Sequence, residues 1–563
     1  MMKNKILFLF LLLSGYYLSS CSGDDDIVQN DITITFSQNE YKVRKGKTLE
    51  IVPQVTNATN PIYSWKLNGK IISNDLQLNF SDYSVGEYFI IFRVDDEIGY
   101  KESQIKVTVA DKISPEIEMV SSYIAYVGQP IELKATANYA ENAEYVWRKN
   151  GEIVSEEQIY SFVEESLGSF SLTVKVTTEE GVDIKAITVV VLPVPEAELY
   201  FDDGLYRTIT NKNNLRKMTV PFGKSLVLAP VVCHIDKPAG FKWTVDGIVQ
   251  SSTNEFLKFT PTEKKAYLIE VTETGTSVKA RVEVTCTEPE STYFRAIQTD
   301  SKAVATKAFN YIPAPGQFID FQSQYQSRAQ VLQKFQTAVD ANSNMFHIGA
   351  YGGYFVVGFD HSVKNVANKA DLSINGNSFV GWSEPGVVWV MQDSNGNGLP
   401  DDTWYELKGS EYGKKDNIQR YAVTYYKPTE KRTDVMWTDN FGNTGSVDIN
   451  GYHSQDYFFP MFIKESAYTL TGTRVPPTFY IAEDTGYESS RDLGWGYVDN
   501  HNTDPTRPIG EFWIEDAIHA DGSPANLTHI DFVKVHTASV GKGSLVGEVS
   551  TEPGNPVDLN FNN

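Results

Sequence analysis

Tyr63-Ser64-Trp65-Lys66-Leu67-Asn68-Gly69 decides the fold, because the stretch returns twice. The second copy is Tyr145-Val146-Trp147-Arg148-Lys149-Asn150-Gly151, and the third is Phe241-Lys242-Trp243-Thr244-Val245-Asp246-Gly247. Each copy has a glycine 19 or 20 residues before its tryptophan: Gly46, Gly128 and Gly223. An aromatic residue follows 23 or 24 residues after it: Tyr88, Phe170 and Tyr267. A repeat at this scale marks a tandem array of one structural unit. The Asn-Gly and Asp-Gly pairs favour the positive φ angles of a tight hairpin turn. Stretches such as Gln104-Ile105-Lys106-Val107-Thr108-Val109 alternate apolar and polar residues, as a strand with one buried face does. The tryptophan on the strand entering the turn is then expected to fill the space between two sheets.

This pattern resembles the polycystic-kidney-disease-like (PKD-like) and immunoglobulin-like domains of bacterial surface proteins. The resemblance covers about residues 32 to 288 and implies three β-sandwiches in series, at 32–111, 112–194 and 195–288. Ile113-Ser114-Pro115 and Pro193-Val194-Pro195 punctuate the joins. No catalytic constellation stands out in this half, whose expected role is a spacer.

The N-terminus carries Lys3 and Lys5, an apolar run from Ile6 to Leu13, and Leu18-Ser19-Ser20-Cys21. It reads as a secretory signal peptide over residues 1–20. Its end resembles the lipobox of bacterial lipoproteins, in which the cysteine is acylated, here Cys21. Ser22-Gly23-Asp24-Asp25-Asp26 opens a linker over 21–31 and resembles the export tag of Bacteroidetes lipoproteins. The resemblance implies an anchor in the outer membrane and surface exposure; the alternative is a periplasmic lipoprotein with a solvated acidic linker. A formal net charge of −23 argues against nucleic acid as a partner. Of the three cysteines, Cys233 and Cys286 are left to form a disulfide if the compartment is oxidising; two buried thiols are the alternative.

From about residue 291 the repeat stops. Residues 327–339 read as a helix, with Val331, Phe335 and Val339 on one face. The rest reads as strands. The fold class is therefore all-β: three sandwiches followed by a larger, jelly-roll-like C-terminal sandwich (291–563) with a short helix. Asp393-Ser394-Asn395-Gly396-Asn397-Gly398-Leu399-Pro400-Asp401-Asp402 places oxygen side chains at positions one, three, five and nine, with glycine at six. That spacing suits a hard cation. It resembles the calcium loops of dockerins and thrombospondin type 3 repeats. The expected ligands are Asp393, Asn395, Asn397 and the Leu399 carbonyl, with Asp401, Asp402 or Glu406 supplying the closing carboxylate. Trp404 at position twelve departs from an EF-hand, and a metal-free polar turn is the alternative.

Residues 349–360, 371–377, 384–390, 402–410 and 530–538 together look like a β-sandwich family of Bacteroidetes cell-surface lipoproteins. Proteins of this layout resemble the surface lipoproteins of corrinoid-uptake loci. That resemblance implies capture of cobalamin beside a TonB-dependent outer-membrane transporter. A macrocycle suits aromatic faces with a polar rim, and so does a sugar ring, so a surface glycan-binding protein is the leading alternative. The candidate ligand contacts are aromatics expected to be exposed near loops, Tyr351, Tyr354, Trp382, Trp495 and Tyr497; in Leu493-Gly494-Trp495-Gly496-Tyr497 the glycines beside the rings argue against a buried strand. No nucleophile elbow or His-Glu-x-x-His motif occurs, and no enzyme is expected. Glu511, Glu515 and Asp516 around Trp513 are the residues a glycoside hydrolase would use, and an adhesin is a further alternative. His347, His361 and His529 are expected to be satisfied polar groups.

Overall fold

The computed structural model describes residues 32–36, 39–81, 83–97, 99–319, 327–449, 453, 455–481, 488–543 and 547–562. The expected signal peptide, the expected acylation site Cys21 and the acidic linker lie outside the described residues. The chain divides into two compact units, residues 1–110 and 111–563.

The first unit holds one sandwich. Its larger sheet runs in the order Glu40–Arg44, Tyr100–Ala110, Gly86–Asp95, Ile62–Leu67 and Lys70–Ser73. The first of these strands lies parallel to its neighbour, and the others are antiparallel. The expected alternation holds, with Ile105, Val107 and Val109 buried. Asn68 and Gly69 take φ of 49° and 76°, the turn that their identities favour.

The second unit repeats this topology twice. Ser122–Tyr126 pairs in parallel with Gly181–Leu192, and Arg216–Pro221 pairs in parallel with Lys279–Thr287. All three repeat tryptophans, Trp65, Trp147 and Trp243, have 0% exposure. Each donates its indole N–H to a carbonyl 10 or 11 residues on: Asp75, Glu157 and Asn254, at 2.9–3.0 Å. A buried donor left without a partner is costly, so this bond fixes the ring's orientation as well as its burial.

The C-terminal domain is built from two antiparallel sheets. One has six strands, with Tyr354–Lys364, His529–Thr537 and Gly386–Met391 at its centre. The other has five, centred on Ile418–Tyr426 and Ala467–Arg474. Val423 and Leu470 of one sheet share a core with Phe355 and Val533 of the other. The single α-helix among the described residues is Arg328–Asp340. Ser327 caps it, Gln330 closes the capping box, and Val331, Phe335 and Val339 are buried as expected. Among the described residues no helix is long and apolar enough to cross a membrane.

The third sandwich is not a separate bead. Arg207–Thr208 forms the edge strand of the five-stranded C-terminal sheet, against Tyr468 and Thr469. Trp243 and Val271 belong to the same hydrophobic core as Val423 and Val533.

The expected Cys233–Cys286 disulfide is not formed, and both cysteines are free and buried. Cys233 packs with Tyr200, Val231 and Ala422, whereas Cys286 packs into the main core with Trp243 and Val284. Burial raises both thiols, Cys233 to about 12, which keeps them protonated and unreactive.

Candidate functional site

A cleft of about 480 Å³ opens where the second sandwich meets the C-terminal domain. Ser122–Tyr126 supplies one wall, packed against Val435–Asp439 and Thr444–Val447. Ser121 hydrogen-bonds Asp434 across this contact. Tyr123, Tyr351, Tyr425 and Trp437 contribute rings, and Ile124, Met436 and Val447 contribute apolar surface. The tyrosine hydroxyls of the inner wall are committed to backbone. Tyr351 donates to Tyr421 O at 3.0 Å and Tyr425 donates to Tyr351 O at 2.9 Å. Both side chains are only 1% exposed, so the rings with open surface in the cleft are the half-buried Tyr123 and Trp437.

Polar residues line the cleft as well. Glu548 and Ser539 line the cleft, at 3% and 1% exposure. Glu548 Oε1 accepts the Gln317 N–H at 2.7 Å. Its Oε2 and Ser539 Oγ have no hydrogen-bond partner among the described residues. Burial, with Glu552 and Asp448 nearby, pushes Glu548 up to about 8. At the rim, Lys542 pairs with Asp448 at 2.6 Å and reaches Ser446 at 3.2 Å.

The five sequence-selected aromatics do not converge. Tyr351 lines the cleft, although it is 1% exposed and not the surface ring expected. Tyr354 is core: its hydroxyl accepts from Tyr206 N and Asn310 Nδ2, and the Lys534 ammonium sits 4.5 Å from its ring centre. Tyr497 is core as well, 3% exposed, with its hydroxyl accepting from Glu411 N at 3.1 Å. Trp495 is half-buried beneath the Arg507 guanidinium, which also covers Trp513 and pairs with Asp516 at 2.5 Å. Trp382 is half-exposed between Phe379 and Phe479. Exposed Phe379, Val380, Tyr480 and Ile481 extend that patch into an aromatic shelf. The hairpin bearing Phe479–Ile481 packs against Lys542–Gly543, so the shelf adjoins the rim.

Tyr123, Tyr425, Trp437, Ser539 and Glu548 are the site residues that the sequence did not single out. Tyr123 lies about 300 residues before the other four, and no local pattern links them.

The Asp393–Asp402 loop is tightly wound. Asp393 accepts the N–H groups of Asn397 and Gly398, and Asp401 accepts the side-chain amides of Asn395 and Asn397. Asp402 is not turned toward this ring of oxygens. Both its oxygens accept from Ser394, beside Thr219 of the third sandwich, and burial lifts it to about 7. The side-chain oxygens of Asn395 and Asn397 accept from the N–H groups of Asn397 and Leu399, so the loop's own backbone engages them. Among the described residues no group of three or more His, Cys, Asp or Glu side chains is placed to hold a metal.

The histidines are satisfied as expected. His347 pairs with Glu552 at 2.7 Å, and His361 lies between Asp360 and Asp558. His529 meets Thr528 at 2.9 Å. Neutral His536 accepts from Trp389 Nε1 and donates to Thr473 O; burial holds it at about 3.

Fold and cleft together define a multi-sandwich β-protein with PKD-like repeats. A PKD-like domain model matches residues 30–96 and 112–178, which carry the first two sandwiches. No curated protein matches the chain. Among solved structures, the fibronectin(III)-like modules of Clostridium thermocellum CbhA are 16% identical, covering 29% of this chain and 95% of theirs, with a TM-score of 0.17. The I67–I69 fragment of the titin I-band is 10% identical over 45% and 97%, with a TM-score of 0.14. The Ig1-2 module of Drosophila receptor protein tyrosine phosphatase DLAR is 15% identical over 29% and 100%, again at 0.14. Tandem sandwiches of this kind suggest a surface or binding role and are typical of non-catalytic proteins.

Proposed function

We propose that this chain is a non-catalytic receptor, tethered through Cys21 to the outer face of an outer membrane, that takes a small amphipathic ligand into the cleft. The observation that carries this reading is a cleft of about 480 Å³ lined by the half-buried rings of Tyr123 and Trp437 beside apolar Ile124, Met436 and Val447. Small-molecule sites are mostly apolar with a few convergent polar groups, in volumes of roughly 300–1,000 Å³. A corrinoid is the ligand implied by the resemblance of the chain's layout, with a TonB-dependent transporter as the receiving partner. On this reading the cleft holds one edge of the macrocycle and the Trp382 shelf covers its face. A second reading, a neutral glycan, draws support from the cleft's size, which encloses a short saccharide more completely than a macrocycle. Calcium belongs to the proposal as a structural ion in the Asp393–Asp401 loop.

Calorimetry of the purified full chain against cyanocobalamin, and separately against neutral oligosaccharides, tests the proposal. Saturable binding of one probe, abolished by Gly445→Val beneath Trp437, is the expected result. Binding untouched by that change places the ligand elsewhere and refutes the cleft.

A further inference from the structure

A second cavity, of about 110 Å³, lies where the third sandwich meets the C-terminal domain, and it shares no lining residue with the cleft. Met218 and the strand Leu226–Leu228 come from the sandwich, and Trp389 and Trp404 come from the six-stranded sheet. Met218, Trp389 and Trp404 are half-buried, so a thioether and two indoles keep open surface there.

One cation is brought to this apolar wall by an uncommon backbone. Arg420 sits in Ile418–Tyr426, where the register with Ala467–Arg474 shifts between Ile418 and Tyr421. Its φ is +55°, the left-handed region, which costs a residue with a side chain about 1–2 kcal/mol. A bulge re-aims the side chain it carries, and here it sets a half-buried guanidinium at the cavity. That guanidinium is loosely held. Nη1 donates to the Ala520 carbonyl at 3.3 Å and Nη2 to Glu255 at 3.4 Å, both at the long limit of a hydrogen bond. Glu255 is 40% exposed, so water competes for its side of the pair. An arginine has five N–H donors in a planar fork, and such a fork matches the two oxygens of a carboxylate.

The acidic side chains at the cavity are engaged elsewhere. Asp203 pairs with Arg216 at 3.0 Å, Asp402 accepts from Ser394, and Glu406 accepts from Thr473. Asp202 accepts the Gly204 N–H at 3.0 Å, and burial raises it, which favours its neutral form. Lys534, with its ammonium on the Gly204 carbonyl at 2.9 Å, adds a second positive charge beside the cavity.

We propose that this cavity is a second binding site, separate from the cleft, for a small carboxylate carried on an apolar body. The body lies against Met218 and the Trp389 and Trp404 indoles, and Arg420 takes the carboxylate through its fork. The volume suits a single ring or a branched chain held in part, since an enclosed cavity of roughly 150 Å³ is enough for benzene.

Labelling the methionine methyl groups of the full chain for NMR gives one reporter in each place, Met218 in the cavity and Met436 in the cleft. Met218→Leu and Met436→Leu assign the two signals. Benzoate is the probe, benzamide its uncharged counterpart, and inorganic phosphate an anion without an apolar body. The expected result is a saturable shift of the Met218 signal by millimolar benzoate, with Met436 unmoved. Benzamide and phosphate should bind at least tenfold more weakly, and Arg420→Gln should bring benzoate down to the level of benzamide. A Met218 signal that benzoate leaves in place, or a shift at Met436 alone, overturns the proposal. Equal affinity for benzamide, or full affinity for benzoate in a folded Arg420→Gln, overturns it as well. If Arg420→Gln does not fold, the ratio of benzoate to benzamide affinity in the unaltered chain decides alone.

Discussion

Glu548→Gln is expected to stabilise the protein at neutral pH, and the gain is expected to vanish in acid. Glutamine keeps the acceptor for Gln317 N–H and removes the ionisable proton. In the folded chain the carboxyl is raised from 4.5 to about 8, first by burial and then by Glu552 and Asp448. A raised acid binds more protons folded than unfolded, so folding loses stability as pH climbs from the unfolded value toward the folded one. The difference of about 3.5 units, at about 1.4 kcal/mol each, comes to about 5 kcal/mol above pH 8 and about 3 kcal/mol at pH 7. Below pH 4.5 both states are protonated and the term disappears. Urea unfolding of wild type and variant, followed by tryptophan fluorescence from pH 4 to 9, reads this directly. The two midpoints should coincide near pH 4 and separate steadily, with the variant higher. Parallel curves across the range would mean that Glu548 ionises normally in the fold, and the account of its buried carboxyl would be wrong.

Tyr351→Phe should cost about 1 kcal/mol, the loss of one buried hydrogen bond to Tyr421 O, and Tyr351→Ala about 3–5 kcal/mol, both read by denaturant midpoints. A surface ligand contact would show neither loss. Gly445→Ala should displace the Trp437 ring that packs on that glycine and weaken ligand binding at least tenfold with little change in fold by circular dichroism. His536 is held at about 3 by burial, so its contribution is present above pH 6.5 and is lost as pH falls toward 3. Its imidazole signals should accordingly show no titration by NMR between pH 5 and 8. If the Asp393–Asp401 loop holds calcium, chelation with EGTA should lower the melting temperature of wild type and leave Asp393→Ala unmoved; equal responses would remove the ion from the account.

What was legible in the sequence was local. The Trp-x-x-x-Gly copies announce themselves because a turn type depends on its own residues, and Asn150-Gly151 adopts the same positive φ angles as Asn68-Gly69. The helix was legible for the same reason, since Ser327 and Gln330 lie within one turn. The cleft was not, because Tyr123, Trp437 and Glu548 meet only through tertiary packing. The fusion of the third sandwich with the C-terminal domain was hidden too, as Arg207–Thr208 is a two-residue strand whose partners lie about 260 residues away. The reading of Leu493-Gly494-Trp495-Gly496-Tyr497 as an exposed aromatic run mistook the meaning of glycine. A Cβ at Gly496 would sit 2.6 Å from the Gly409 Cα, and one at Gly494 2.4 Å from Ser410 Oγ. Glycine marked close approach in that segment, not solvent. The cysteines misled in a related way: both sit on strands of one sandwich, yet they pack into different clusters.

Hydrogen-exchange mass spectrometry of the full chain with and without saturating ligand tests the central claim most directly. The account predicts that the neutral ligand, cyanocobalamin or oligosaccharide, slows exchange in Ser122–Tyr126, Thr444–Val447 and the 539–543 segment together, since these strands wall one cleft. Protection confined to the C-terminal domain away from these strands, with Ser122–Tyr126 unchanged, would contradict it.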